Sequence, residues 1–431
     1  MLDKQPLELN ADFQYALDAI ENKGLHLFIT GRAGTGKSTL LQLFRRTTRR
    51  KTVVLAPTGV AALNVRGQTI HSFFGFPPRM FPESEVKKRR DRRLYTQLEV
   101  LVIDEISMVR ADLIDHIDLF MRINREDPRP FGGLQVVFFG DLFQLPPVLS
   151  SDAEATFFRQ QYATPYFFSA KVFRRGFPME MLELSKVYRQ EQRHFLRLLD
   201  AVRLNEIDYE VLEELNARCE PDFQAQDFYI TLSSRNAKAD AINSAELAKI
   251  PLPEERYIAA VTGEFNPSQY PAEPALRLKL NAQVMFLKND PDRRFVNGSI
   301  GKVIKLDRET VTVMLEDKDE ERRYVEVQAM DWEVLRYRID PKDPEKIESE
   351  VIGTFSQIPL RLAWAVTIHK AQGKTFDKVI IDMDKGAFEH GQTYVALSRC
   401  RTLEGIVLRQ ALRPQDIRTD ERVTEFYRLM M

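Results

Sequence analysis

Gly31-Arg-Ala-Gly-Thr-Gly-Lys37-Ser38 decides the fold. Before it lies an apolar run, Leu25-His-Leu-Phe-Ile-Thr30, with the length of a buried strand. After it, Thr39-Leu-Leu-Gln-Leu-Phe44 reads as the start of a helix. This is the P-loop pattern G-x-x-x-x-G-K-[ST] in its strand-to-helix setting. Glycines let backbone N–H groups turn inward around a phosphate, and the helix N-terminus adds a positive dipole end. The pattern makes Gly31, Gly34, Thr35, Gly36, Lys37, Ser38 and Thr39 the expected nucleotide contacts. Lys37 would reach the β- and γ-phosphates of ATP, and the Ser38 hydroxyl would hold Mg²⁺.

Composition narrows the class. The chain has 431 residues, enough for several domains, and a net charge of −1 with 29% charged residues. A nucleic-acid site must then be a local groove rather than a global field. Cys219 and Cys400 lie far apart, and six scattered histidines show no metal-ligand spacing. The first residues carry no apolar signal region, and no apolar run approaches membrane-spanning length. The expected setting is cytoplasmic or nucleoid-associated.

Strand candidates at 25–30, 53–56, 100–104 and 136–140 alternate with helix candidates at 37–49 and 107–125, which argues for an α/β parallel sheet covered on both faces. A helix pattern over 10–22 places Phe13, Leu17 and Ile20 on one face, with Asn10 as N-cap. A second block from about 181 contains helix patterns at 191–204, 207–218 and 236–249, with strands at 228–233 and 283–288. Residues 296–328 alternate with period two between polar turns and read as a small antiparallel barrel. Pro341 and Pro344 mark its exit loop. The α/β pattern resumes at 361. The tail ends in a helix with a Val423, Phe426, Tyr427 stripe. The basic run Lys87–Arg93 reads equally well as a solvated surface and as a phosphate contact.

Val100-Leu-Val-Ile-Asp104-Glu105 is an apolar strand ending in two acids. After a P-loop, Asp104 is the expected acid on the Mg²⁺ side, and Glu105 can polarise the attacking water. Gly140-Asp141-Leu-Phe-Gln144-Leu-Pro-Pro147-Val148 ends the next strand. Its prolines forbid continuation of strand or helix, so Gln144 sits on a stiff loop beside the nucleotide. Pro57 and Thr58 in Ala56–Ala62, and His71, Ser72 and Phe73 in Gly67–Phe74, supply hydroxyls, backbone N–H groups and rings suited to phosphates and bases. Phe73 and Phe74 could equally be core.

The order of these motifs resembles superfamily-one helicases of the RecD-like branch. It runs P-loop, APTGVAA, GxTIHSFF, DEIS, GDxxQLPPV, VYRQ, TIHKAQGKTFD, YVALSRC. The stretch from Ser107 to Gln135 looks like the signature segment of the PIF (petite integration frequency) DNA helicases. The resemblance covers roughly residues 8 to 410. It implies that Asn10 and Gln14 read adenine, that Gln144 is a coupling amide, and that Arg189 and Arg399 face the γ-phosphate from the second domain. Read alone, either arginine could be a surface ion pair. The Thr367–Thr375 segment would contact nucleotide near Gly373 and single-stranded DNA at His369 and Lys370. Gly373-Lys-Thr mimics a P-loop tail, but Ile368 stands where the first glycine is needed, so a second ATP site is rejected. Arg235 and Asn236 resemble a backbone-contacting loop.

The expectation is two RecA-like P-loop NTPase domains with a small SH3-like barrel in the second. The first covers residues 1–180, with a short strand-separating wedge over about 64–80 near Phe74 to Arg79. The second covers 181–295 and 360–431, interrupted by the barrel at 296–359. By resemblance the chain is an ATP- and Mg²⁺-dependent 5′→3′ DNA helicase of repair, recombination and telomere maintenance. It would be a monomer acting on single-stranded DNA, forks and structured DNA such as G-quadruplexes. The residues alone leave open a P-loop kinase for a small molecule and a translocase that does not separate strands.

Overall fold

The structure, a computed structural model, describes residues 9–149, 151–188, 192–316, 322–384 and 386–430. Arg189 lies outside the described residues. Six strands form the first sheet: β1 (His26–Gly31), β2 (Thr52–Ala56), β3 (Gln68–Thr69), β4 (Val100–Ile103), β5 (Gln135–Phe139) and β6 (Met179–Leu184). All pairings are parallel, in the order β3-β2-β4-β5-β1-β6. The sheet therefore runs through Leu184, past the expected boundary at 180. The short apolar strands are buried on both faces, which is why they read as continuous runs rather than alternations. Leu27, Ile29, Val102 and Val137 point to one face, against Phe13, Ile20, Leu40 and Phe44 of helices α1 (Ala11–Glu21) and α2 (Lys37–Thr47). Phe28, Leu101, Ile103 and Phe138 point to the other, against Ile117 and Phe120 of the helix Ala111–Arg125.

A second parallel sheet orders Ala365–Thr367, Ile230–Ser233, Val379–Asp382 and Ile406–Leu408. Between its first two strands in sequence lies the antiparallel insertion. It is larger than the expected barrel over 296–359. Strands Gln283–Phe286 and Leu360–Leu362, on either side of that span, pair with each other; Gln283–Phe286 pairs on its other side with Ile300–Leu306, and Thr310–Glu316 and Arg322–Gln328 follow. This sheet has its own core, including Val303, Val313, Val325 and Phe286. Its pairings, among the described residues, run edge to edge and do not close a ring.

Pro341 and Pro344 are not an exit loop. They cap a long ribbon, Met330–Ile339 against Ile347–Gln357, with Ala260–Gly263 on its far edge. The ribbon reaches the first sheet. The Val54 N–H donates to the Tyr337 hydroxyl at 3.1 Å, the Tyr337 N–H donates to Gln68 Oε1 at 3.0 Å, and Gln97 Nε2 donates to the Pro344 carbonyl at 2.6 Å. The helix Glu421–Met430 also crosses back. Phe426 stacks on Phe168 at 4.4 Å, and the Tyr427 hydroxyl bonds the Thr30 hydroxyl at the root of the P-loop.

The expected wedge is packed. Phe74, Phe76 and Phe81 are buried around Phe120 and His116, while Gly75, Pro78 and Arg79 are exposed. The basic run is partly structural. The Arg89 guanidinium donates to the Phe74 carbonyl and its backbone N–H to Asn124, while Lys88 and Arg92 pair with Glu126.

Candidate nucleotide site and nucleic-acid interface

The carboxyl ends of β1, β4 and β5 open into a cavity of about 700 Å³. Ligands gather at this edge of a parallel sheet because helix N-termini and loops converge there. Gly31 turns with φ 145°, and a Cβ on it would lie 2.8 Å from Thr35 Oγ1 and 2.9 Å from the Leu184 carbonyl. Gly36 caps α2 with φ 88°. Gly34, Gly36, Lys37, Ser38 and Thr39 line the cavity, while Gly31 and buried Thr35 shape the loop from behind. Lys37 Nζ donates to the carbonyls of Gly31, at 2.7 Å, and Arg32, at 3.1 Å. It thus lies folded along the loop.

Asp104 and Glu105 line the same cavity. Glu105 takes the left-handed conformation, φ 51°, a costly geometry for a side-chain-bearing residue. Burial, then the charge on Glu105, lifts Asp104 to about 7. Burial also raises Glu105, against the pull of Lys37 and Arg399. Ser38 and Asp104 offer a hydroxyl and a carboxylate beside the P-loop, a hard-oxygen set that fits a Mg²⁺ otherwise held by water and phosphate.

The second sheet supplies the opposite wall. Arg399 and Gly373 line the cavity. Arg399 is not a surface ion pair. It is buried, donating to the carbonyls of Val395 and Lys374 and to the Ser398 hydroxyl. Burial pulls its pKa down to about 10, opposed by Tyr394 and Glu105. Gln372 bridges the walls. Its Nε2 donates to Glu105 Oε2 at 3.3 Å and to Gln144 Oε1 at 3.1 Å. Gln144 in turn donates from Nε2 to Asp141 Oδ2 at 3.1 Å.

Asn10 caps α1, accepting from the Phe13 N–H at 2.8 Å, and its Nδ2 donates to the Tyr188 hydroxyl at 3.1 Å. Gln14 donates to the Leu9 carbonyl at the surface. Neither lines the cavity. Phe13 and Tyr188 do, flanking Gly36.

The DNA candidates divide. Thr58 caps the helix Gly59–Asn64 and is exposed beside half-buried Pro57. Ser72 is exposed, accepting from Gln68 Nε2 at 2.9 Å. Across the molecule, Arg235 and Asn236 are exposed at a helix start, and Lys370 is exposed beside His369, which pairs with Glu389 at 3.1 Å. Burial holds the pKa of half-buried His71 below the ordinary value, with Arg110 acting the same way. Phe73 is a correction. Its ring is buried among Phe74, Tyr95 and Tyr337, so no face is open for a base.

A family model described as PIF1-like helicase matches residues 8–211. An ATP-dependent DNA helicase Pif1 of Bdellovibrio bacteriovorus is 33% identical over 434 residues, 98% of this chain and 92% of the relative. The chain belongs to the PIF1-like helicase family. The human ATP-dependent DNA helicase PIF1 is 34% identical over 94% of this chain, which spans 61% of the human protein's length. Among solved structures, a Bacteroides Pif1 in complex with ADP-AlF4 is 35% identical, with a TM-score of 0.90 over 98% of this chain and 97% of that one. The same protein bound to single-stranded DNA covers equally well but at a TM-score of 0.69.

Within this PIF1-like frame, sequence reasoning assigns no role to Phe13, Tyr188, Gln372 or Tyr394. Tyr394 accepts from the Ala33 N–H at 3.0 Å, tying the helix before Arg399 to the P-loop. Tyr188 and Gln372 stand inside quoted motifs, and an aromatic next to a candidate arginine is the one signal that points to the first. Its ring lines the cavity beside Gly36, where it would offer a base a face to stack on. Tyr188→Ala should raise KM for ATP about tenfold and leave kcat within about threefold, the loss of one stacking contact. Steady-state ATPase measurements check this, and an unchanged KM would remove Tyr188 from the site.

Proposed function

We propose that this chain is an ATP- and Mg²⁺-dependent DNA helicase that moves 5′→3′ along single-stranded DNA and separates duplex ahead of it. One observation carries the reading. Phosphate-binding and water-activating groups lie on one sheet, and Arg399 and Gln372 reach the same cavity from the other. A small-molecule kinase has no need of a second parallel sheet supplying a cation across a cleft. The names and titles of the PIF1-like relatives, which cite ATP dependence, single-stranded DNA and forked duplex, support it.

The cycle follows from this chain's residues. ATP on the P-loop draws Lys37 off the Gly31 and Arg32 carbonyls toward its phosphates. Ser38 and Asp104 would hold Mg²⁺, which would supply charge neutralisation on the transferred phosphoryl group. Glu105 accepts a proton from the attacking water. Arg399 stabilises transition-state charge only when the walls are close, and Gln372 reports that closure to Gln144 and Glu105. Arg189 of the VYRQ motif belongs to the same reading as a second cation. DNA would lie across Pro57, Thr58, His71 and Ser72 on one side and Arg235, Asn236, His369 and Lys370 on the other. The Gln269 side chain now packs on Gly59, so a strand crossing Thr58 requires that turn to withdraw. Action as a monomer on forks and G-quadruplex DNA completes the proposal.

Tailed duplexes test it. With MgATP, a duplex carrying a 5′ single-stranded tail should be unwound and one carrying a 3′ tail should not. The opposite preference overturns the polarity. DNA-stimulated ATPase with no strand separation, but with displacement of a streptavidin block, would replace unwinding by translocation alone.

A further inference from the structure

The helix Arg193–Leu204 touches the nucleotide site twice from outside the cavity. Asp200 pairs with Arg32 of the P-loop at 2.8 Å. One turn on, Arg203 is buried to 4% exposure and faces Asp141, itself 1% exposed, with Nη2 at 3.6 Å from Oδ1. The same Nη2 donates to Glu183 at 3.1 Å, the guanidinium lies 4.3 Å from the Phe143 ring centre, and Tyr427 closes the far side at 5.8 Å. Arg203 Nε has no hydrogen-bond partner among the described residues.

Asp141 has two jobs at two oxygens. Oδ1 accepts from the Phe143 N–H at 3.2 Å and faces Arg203, while Oδ2 accepts from Gln144 Nε2 at 3.1 Å. That second bond sets which way round the Gln144 amide stands. With Nε2 committed to Asp141, Oε1 is presented to Gln372. A protonated or swung Asp141 would let the amide flip, and two NH₂ groups would then face each other. A buried carboxylate keeps its charge and place only beside a cation.

We infer that Arg203 is a positioning residue for ATP hydrolysis. It acts through Asp141 to hold the Gln144 amide in the orientation that engages Gln372 and Glu105. The inference rests on the helicase reading, since Gln144 matters only if the cleft hydrolyses ATP.

A double-mutant cycle tests it, reading ATPase stimulated by single-stranded DNA. Arg203→Gln should lower kcat about tenfold or more, with KM for ATP changed less than about threefold. Asp141→Asn should do the same. The double variant should turn over no slower than Asp141→Asn, because Arg203 then has nothing to hold. A further drop of about tenfold in the double variant would overturn the inference, as would equal loss of kcat and affinity. Glu183→Gln, which removes the other partner of Arg203, should retain most activity. If it matches Arg203→Gln, the ion pair is a structural strut and the inference fails. Should Arg203→Gln leave Asp141 unpaired and not fold, the comparison of Asp141→Asn with the double variant decides alone. Wild-type protein separates the two levels. Absence of any DNA-stimulated ATPase in it refutes the helicase reading, whereas normal stimulation with an unaffected Arg203→Gln refutes only this step.

Discussion

Replacing Lys37 with alanine should lower ATP turnover by about two to three orders of magnitude, the cost of deleting one charged donor from a phosphoryl-transfer site. Lys37 is the cation that the P-loop itself carries into the cavity; Lys186, Arg399 and Arg401 also line it but belong to other segments. The lysine's hydrogen bonds to the Gly31 and Arg32 carbonyls stay within the loop, so their loss should leave the fold and its melting temperature nearly unchanged. DNA affinity without nucleotide, measured by fluorescence anisotropy, should stay within about twofold, because the candidate DNA residues lie on other loops. Unwinding should disappear with the ATPase. Retained unwinding would show that the Gly31–Ser38 loop does not power it.

Glu105→Gln should have an effect of similar size by a different route. The amide keeps the shape and the Gln372 contact but cannot take a proton, and loss of a general base costs about 10²–10⁴-fold. ATP should still bind. Burial raises the Glu105 pKa, which makes the carboxylate a stronger base and moves its titration upward. The sign is definite. The active form is deprotonated, so wild-type kcat should fall as pH drops through that raised pKa, above the ordinary carboxylate range. In the Gln variant the contribution of Glu105 to the acid limb should be gone, leaving that of Asp104, itself lifted to about 7. A variant with wild-type kcat would assign the base elsewhere.

How much of this was readable in the chain depends on range. The P-loop, the Asp104–Glu105 strand end and the Gln144 loop are local patterns, and the structure brings them into one cavity. Phe73 misleads because a ring in a polar motif suits stacking and core equally. Its burial depends on Tyr337, which arrives on a ribbon from the insertion. That ribbon was hidden by Pro341 and Pro344. They signal a turn correctly but not that strands of ten and eleven residues flank it. The long-range pairings have no local signature, even where the residues stand inside quoted motifs. Gln372 meets Glu105 across 267 positions, and Asn10 meets Tyr188 across 178. Arg203 sits in an ordinary amphipathic helix, where a basic residue near the C-terminus reads as dipole compensation. Only the fold reveals that it faces a buried acid.

The Tyr427–Thr30 contact also constrains how the protein is born. Thr30 leaves the ribosome 397 residues before its partner. At about 5–20 residues per second, the β1 face that will carry Phe426 and Tyr427 waits roughly 20–80 s without its cover. Once β6 has been made, Phe28, Phe143 and Phe168 form an aromatic strip that the Glu421–Met430 helix has yet to cover. The nucleotide-binding sheet is thus made well before the helix that covers it.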